Sequence, residues 1–151
     1  MREHLTSKDG IAPVAGVPDP ALLVVDDNED NRYTLSLQLN AQGYHNIAIA
    51  TNGNEALSVL HSKPFDLVLL DIMMPELNGY EVLERMRSSP ELRNIPVIVI
   101  SAIGELDSVV RCIELGAEDY LPKPFEPTLL RARVYASLER KRLHDQVVAQ
   151  A

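Results

Sequence analysis

The chain is poor in cysteine and aromatic residues: one cysteine (Cys112), no tryptophan and two phenylalanines. A single cysteine excludes an internal disulfide framework and fits a reducing compartment. On its helix it reads as a small buried hydrophobe. No apolar run approaches the ~18 residues that a membrane span needs. Met1 to Pro20 has no apolar h-region, so no secretory signal is expected, and the expected location is cytoplasmic with no membrane contact. Positive charge is scarce, with 14 Lys and Arg against 22 Asp and Glu. The net charge of -8 argues against direct, non-specific nucleic-acid binding. The four histidines, His4, His45, His61 and His144, have no metal-ligand spacing and no nearby nucleophile. No repeat of 20–50 residues is present, which excludes solenoids.

What remains is one domain with a full core in 151 residues, at 46% hydrophobic and 24% charged content. Acidic charge concentrates in its middle. Residues 21–125 carry seven basic and sixteen acidic groups, whereas residues 126–151 carry five basic and three acidic. Residues 1–20 hold Gly10, Pro13, Gly16, Pro18 and Pro20 and few large apolar groups, so they are expected to form a flexible leader.

Leu67-Val68-Leu69-Leu70 runs straight into Asp71. Such a run fits a strand buried on both faces, as in a parallel sheet. An unpaired carboxylate cannot stay in a core, so Asp71 belongs at the sheet's rim. Four more strands are expected: Ala21–Val25 before Asp26-Asp27, Asn46–Ala50, Pro96–Ile100 before Ser101, and Glu118–Leu121 before Pro122-Lys123-Pro124-Phe125. Helices should fill the gaps. Asn28-Glu29-Asp30-Asn31 supplies a cap and first-turn acids for one that Gly43 ends. Its pattern is ambiguous: Tyr33, Leu35, Leu37 and Leu39 alternate like a strand, but also form the helical rows Tyr33/Leu37/Ala41 and Leu35/Leu39. Further helices are expected over Asn54–His61, after the cap Asn78 to before Pro90, over Glu105–Leu115 ahead of Gly116, and from near Glu126 toward the end. Strand and helix alternate five times, which implies a parallel α/β sheet with helices on both faces.

In such a sheet the ends bearing Asp26-Asp27, Asp71, Ser101 and Lys123 share one edge, so three carboxylates, a hydroxyl and an ammonium converge. Two like charges ~4 Å apart repel by roughly 4 kcal/mol at an effective dielectric near 20. One lysine offsets only part of that; a hard divalent cation such as Mg2+ resolves it, and prefers a few carboxylates plus phosphate oxygens. The pattern points to phosphoryl transfer. Asp71 is the nucleophile, and Mg2+, Lys123 and the Ser101 hydroxyl stabilise charge on the phosphoryl oxygens.

This motif set, with intervals of 44 residues from Asp27 to Asp71, 30 to Ser101 and 22 to Lys123, resembles the receiver domain of two-component response regulators over about residues 21–140. The resemblance implies a single (βα)5 doubly wound, flavodoxin-like domain over residues 21–138, with residues 139–151 as a helical extension toward a possible output domain. It implies that Asp27 binds Mg2+ directly, that Asp26 acts partly through water, and that the backbone carbonyl of Met73 is a further metal ligand. Asp71 would accept phosphate from a sensor histidine kinase or phosphotransfer protein. Lys123–Pro124 would be a cis peptide. Ser101 would move toward the phosphoryl group and Tyr120 would turn inward behind it, with small Ala102 leaving the pocket open. Met73 and Ile103, both apolar, would flank the path of hydrolytic water and leave the phosphoryl group long-lived. Phe125 is read as core packing and Met73-Met74 as loop packing.

Two other functions compete. A Mg2+-dependent phosphatase with an Asp nucleophile needs an acid two residues later, where this chain has Met73. A degenerate, phosphorylation-independent interaction module usually loses an acid or the lysine, and this chain keeps all of them. The expected protein is therefore a signalling phosphoacceptor rather than a turnover enzyme. An uninterrupted helix over Thr128–Val148 would be ~30 Å long and overrun the sheet. Its tail would be solvated or pack on another chain; the resemblance is closest to receivers whose signalling helix feeds an enzymatic output domain, with a stand-alone regulator as the alternative. A homodimer through the fourth and fifth helices is also expected, using Leu130, Val134 and Leu138 and the tail's Leu143 and Val147. Asp119 and Arg133 match a cross-interface salt bridge that the winged-helix branch of the family uses, but Val109, Leu129 and Tyr135 stand where that branch has charged partners, so an apolar or coiled-coil dimer is expected at least equally.

Overall fold

The computed structural model describes residues 19–102 and 106–150. The strands are β1 (Leu22–Val25), β2 (Ile47–Ala50), β3 (Leu67–Asp71), β4 (Val97–Ser101) and β5 (Asp119–Pro122). The helices are α1 (Glu29–Ala41), α2 (Gly53–Ser62), α3 (Gly79–Ser88), α4 (Leu106–Glu114) and α5 (Pro127–Gln150). One parallel sheet has the order β2-β1-β3-β4-β5, the doubly wound flavodoxin-like arrangement. Most of the expected leader, and Glu105 at the expected start of α4, lie outside the described residues.

The sheet's two faces follow from a period of two along each strand. Leu23, Val25, Val68, Leu70, Val97 and Val99 face α2, α3 and α4, where Ala56, Leu60, Val82, Leu83, Met86 and Cys112 close the core. Leu22, Val24, Leu67, Leu69, Ile98 and Ile100 face α1 and α5, against Leu35, Leu39, Leu130 and Val134. β1, β3 and β4 are buried throughout, whereas edge strands β2 and β5 are buried only in part.

Helix starts follow from asparagine caps. Asn28, Asn52 and Asn78 each accept a bond from a backbone N–H three residues on, and Asn78 with Glu81 completes a capping box. Gly43 and Gly116, at φ 98° and 111°, turn the chain after α1 and α4 as the sequence signals.

α1 resolves the ambiguity of its pattern. Leu35 and Leu39 are fully buried, while Tyr33 and Leu37 are 67% and 56% exposed. The strand-like alternation arises because one helical row faces the core and the other faces solvent.

α5 corrects the expected dimer row. Leu130 and Val134 are fully buried in the core and cannot meet a partner. From Val134 to Leu143 is nine residues, about 900° at ~100° per residue, which places Leu143 on the opposite side of the helix. The start of the tail is also not free. Arg140 pairs with Glu118 at 3.3 Å, and Lys141, whose side chain is 15% exposed, pairs with Asp145 one turn on in α5 and lies 4.0 Å from Asp66. Both acids precede strands, so these pairs seat α5 against the end of the sheet opposite the proposed site. Beyond them Leu143, Val147 and Val148 are exposed.

Candidate functional site

The carboxyl edge of the sheet is built by register. β1 delivers Asp26, whose amide donates to the Ala50 carbonyl at 3.2 Å, and Asp27 follows at the surface. β3 ends in Asp71, paired with Ile100, so Ser101 lies one residue further along the neighbouring strand. Lys123 follows β5, and its amide donates to the Ser101 carbonyl at 2.8 Å. The Lys123–Pro124 peptide is cis, as the resemblance implies. Three of the four polar ends are almost inaccessible: Asp26 is 0%, Asp71 3% and Ser101 4% exposed.

The side chains converge. Asp26, Asp27 and Asp71 bring carboxylate oxygens within 4.8 Å of one another. Lys123 Nζ lies 3.5 Å from Asp71 Oδ1. The backbone around them is braced. Asp26 Oδ1 accepts the Asn28 amide at 2.9 Å, and Arg32 Nη1 donates to the Asp26 carbonyl at 2.8 Å. Beyond β3, the Gly79 amide donates to the Ile72 carbonyl at 2.8 Å. A Cβ at Gly79 would sit 2.7 Å from Ile72 Cα and 2.9 Å from the Asp71 carbonyl oxygen. Only glycine lets the start of α3 approach the strand that carries Asp71 this closely.

The electrostatics are unbalanced in favour of a cation. Burial, then the Asp26 charge, raise the Asp71 carboxyl to about 7; Lys123 opposes them, and Asp27 adds to the rise. Asp26 Oδ2 is buried without a hydrogen-bond partner in the protein. A buried carboxylate oxygen with no donor, on a residue grouped with two other carboxylates, leaves negative charge uncompensated, and an oxygen-only donor set fits a hard divalent ion.

The other expected residues divide. Met73 is 58% exposed and Met74 is 7% exposed, so loop packing holds for Met74 alone. Ala102 is exposed, and Ile103 lies outside the described residues. Phe125 packs half-buried against the α1–α5 side of the core. Tyr120 is 37% exposed, with its ring outside the site. Cys112 is buried, and burial pushes its thiol up to about 11, which leaves it inert near neutral pH. His45 bonds Asn40 and His61 bonds Glu91 at the surface, and His144 is exposed. Asp119 and Arg133 pair within the chain at 3.2 Å instead of across an interface.

Some supporting residues had no clear signal in the sequence. Arg32 sits in the first turn of α1 among acids and looks like a surface charge, yet it bonds the backbone of Asp26. Gln38 of α1 and Gln42, which caps that helix, donate to the carbonyls of Phe125 and Pro127 at 3.5 and 3.0 Å, bracing the segment that follows Lys123. Gly79 could have been suspected from the Asn-Gly pair that starts a helix.

Set beside known proteins, the chain matches the response regulator receiver domain over residues 22–135. It belongs to that family, the receiver domains of two-component signal transduction. It is 38% identical over 121 residues to the transcriptional regulatory protein AfsQ1 of Streptomyces coelicolor, covering 80% of this chain and 52% of that protein. It is 42% identical over 129 residues to a protein of Vibrio cholerae named "Probable cyclic di-GMP phosphodiesterase", covering 85% of this chain and 29% of that one. The receiver domain of NtrX from Brucella abortus superposes with a TM-score of 0.73 at 31% identity, covering 78% of this chain and 98% of that one. The chain thus spans about half the length, or less, of the curated relatives it matches. No helix among the described residues is long and apolar enough to cross a membrane.

A pH dependence follows from Asp71. Its folded value, about 7, lies above the unfolded value near 3.8, so folding takes up a proton between these limits. Stability therefore falls as pH rises through about 4 to 7, by up to about 4 kcal/mol, and the penalty is complete above that window. Urea unfolding in chelator-treated buffer should show this slope in the wild type. Asp71→Asn should flatten it and be the more stable protein at alkaline pH. An unchanged slope in the variant would remove Asp71 as its source.

Proposed function

We propose that this receiver domain accepts a phosphoryl group on Asp71 from a histidine kinase or phosphotransfer protein and changes state in response. The observation that carries the reading is the approach of Lys123 Nζ to Asp71 Oδ1 beside two further carboxylates at the sheet's edge. An Asp71 oxygen attacks phosphorus in line, and the bond from phosphorus to the donor's imidazole nitrogen breaks. The Lys123 ammonium pairs with the incoming phosphoryl oxygens, and the Ser101 hydroxyl donates to one of them. Asp26, Asp27, Asp71 and the Met73 carbonyl would hold Mg2+, which supplies positive charge for the phosphoryl oxygens. Asp71 is nucleophilic as the carboxylate, so neutralising its acidic neighbours also keeps it ionised near neutral pH.

The phosphoryl group acts by population shift. Ser101 moves toward it and Tyr120 turns into the space behind, so the phosphorylated chain favours a second conformation. We assign residues 21–138 to the receiver and residues 139–151 to a helical extension leading to an output. The output could be enzymatic, as the name of the Vibrio cholerae relative suggests for that protein, or a transcriptional one, as the name of the Streptomyces regulator suggests for that one. The protein signals rather than turning over external substrate: Met73 stands where an aspartyl phosphatase carries its acid. Its expected setting is the cytoplasm, where its phosphodonor would be found.

A second copy is the partner that fits the face of α4. Leu106, Val110 and Ile113 form an exposed row at 69%, 47% and 43% exposure, and Tyr135 of α5 is 38% exposed. With Asp119 and Arg133 satisfied within the chain, this dimer is apolar rather than salt-bridged.

Three outcomes test these assignments. Acetyl phosphate with Mg2+ should add one phosphoryl group, labile to hydroxylamine and visible by intact mass; uptake at the wild-type rate by Asp71→Asn would show that another residue is modified. Asp27→Ala should lose Mg2+ affinity at least tenfold while gaining on the order of 1 kcal/mol of stability in metal-free buffer, since it relieves like-charge repulsion. An unchanged Mg2+ titration would exclude Asp27 as a ligand. Sedimentation with beryllofluoride and Mg2+ should show a dimer that Val110→Glu abolishes. A wild-type monomer with and without these ions, up to the order of 1 mM, would refute the α4 interface.

A further inference from the structure

Tyr120 is not loose at the surface. The Arg133 guanidinium lies over its ring, with Cζ 5.3 Å from the centroid. Arg133 is itself fixed. Its Nη1 donates to Asp119 Oδ2 at 3.2 Å, and Asp119 Oδ1 accepts the Tyr120 amide at 2.9 Å. One carboxylate thus ties the strand's backbone to the cation that covers the strand's next side chain. The Arg133 side chain is 28% exposed and its Nε is buried without a hydrogen-bond partner, so Asp119 and the ring are what hold the guanidinium. The next residue, Val134, is fully buried in the core, which anchors the arginine on a rigid stretch of α5.

The geometry points to Arg133 as a positioning residue that holds Tyr120 outward and so biases the domain against its phosphorylated state. This inference rests on the reading of Asp71 as phosphoacceptor and of Tyr120 as the ring that turns inward. A cation over an aromatic face is attracted by the ring's quadrupole. When Tyr120 turns toward Ser101 it leaves the guanidinium, and that attraction belongs to the outward state alone. A ligand that selects the inward state is then weakened by the fraction of molecules in which the ring is still held. Arg133 touches neither Asp71 nor the phosphoryl site; it acts through the tyrosine. The same arrangement accounts for Asp119, which would otherwise be one more acid on an already acidic domain: it sets the height of the guanidinium over the ring.

Beryllofluoride with Mg2+ is a stable phosphoryl mimic, and 19F NMR reads its bound form directly. Titrations of the full chain would compare the wild type with Arg133→Ala, Arg133→Gln and Arg133→Lys, the first also in a Tyr120→Ala background. Arg133→Ala and Arg133→Gln should bind the mimic about three- to tenfold more tightly. Arg133→Lys keeps a cation and should stay near the wild type. In the Tyr120→Ala background Arg133→Ala should change nothing. Gln preserves the stem's packing if Ala perturbs the fold, so the two truncations check each other. Unchanged or weaker binding in both, or an equal gain without Tyr120, overturns the latch alone. Failure of the wild-type chain to bind the mimic overturns the phosphoacceptor reading and the latch with it.

Discussion

Two carboxylates, Asp26 and Asp71, are buried side by side at the edge of a sheet, and the rest of the site answers to that fact. Their repulsion is not removed by the protein. Lys123 stands 3.5 Å from Asp71 but leaves Asp26 Oδ2 without a partner, and the Asp71 carboxyl is held near neutrality instead of in the usual acidic range. A core built only for stability would place apolar groups here, since unpaired buried charge is among the costliest features a fold can carry. The strain is confined because the strands beneath are wholly apolar and fully buried, and the helix caps and the Gly79 contact fix the loops above them. The arrangement is thereby suited to a ligand carrying the opposite charge.

Much of this was legible in the sequence, because strands buried on both faces and ending in polar residues leave little freedom. The run Leu67–Leu70 could only be central, so Asp71 could only be at its rim. Asparagine caps and the glycines at 43 and 116 fixed helix ends to within a few residues. The division of labour between Asp26 and Asp27 was less accessible. Adjacent residues on a strand point to opposite sides, and composition does not say which carboxylate is inside. The structure buries Asp26 and leaves Asp27 at the surface. Arg32 was missed for a related reason: its partner is a backbone carbonyl, which has no signature in the sequence.

The fifth helix shows where pattern reading goes astray. Leu130, Val134, Leu138, Leu143 and Val147 look like one interrupted stripe. An apolar row on a helix is read equally well as a core face or a partner face, and spacing alone cannot separate them. Here both exist on one helix. The row through Leu130 and Val134 completes the core, and Leu143 and Val147 lie round the helix from it, beyond the body of the domain. The five-residue skip marks the change of role. Arg140 and Lys141 sit in that skip and pair with Glu118 and Asp66, acids that precede β5 and β3.

These two pairs bear on how a change at one end of the sheet reaches the other. α5 has no glycine or proline after its first residue and would be ~36 Å long over its 24 residues. It begins four residues after Lys123, carries Arg133 against Tyr120, and is seated on the opposite edge of the sheet by Arg140 and Lys141. A helix held at three levels moves as a unit or not at all. Partly exposed ion pairs of this kind are individually weak, contributing about 0–1 kcal/mol each. They steer the helix without locking it, so under the proposed switch a modest difference between two positions of Tyr120 would be enough to alter how the tail is presented. In that proposal the exposed Leu143 and Val147 would supply the readout, because an apolar face changes its partner when the helix beneath it shifts or turns.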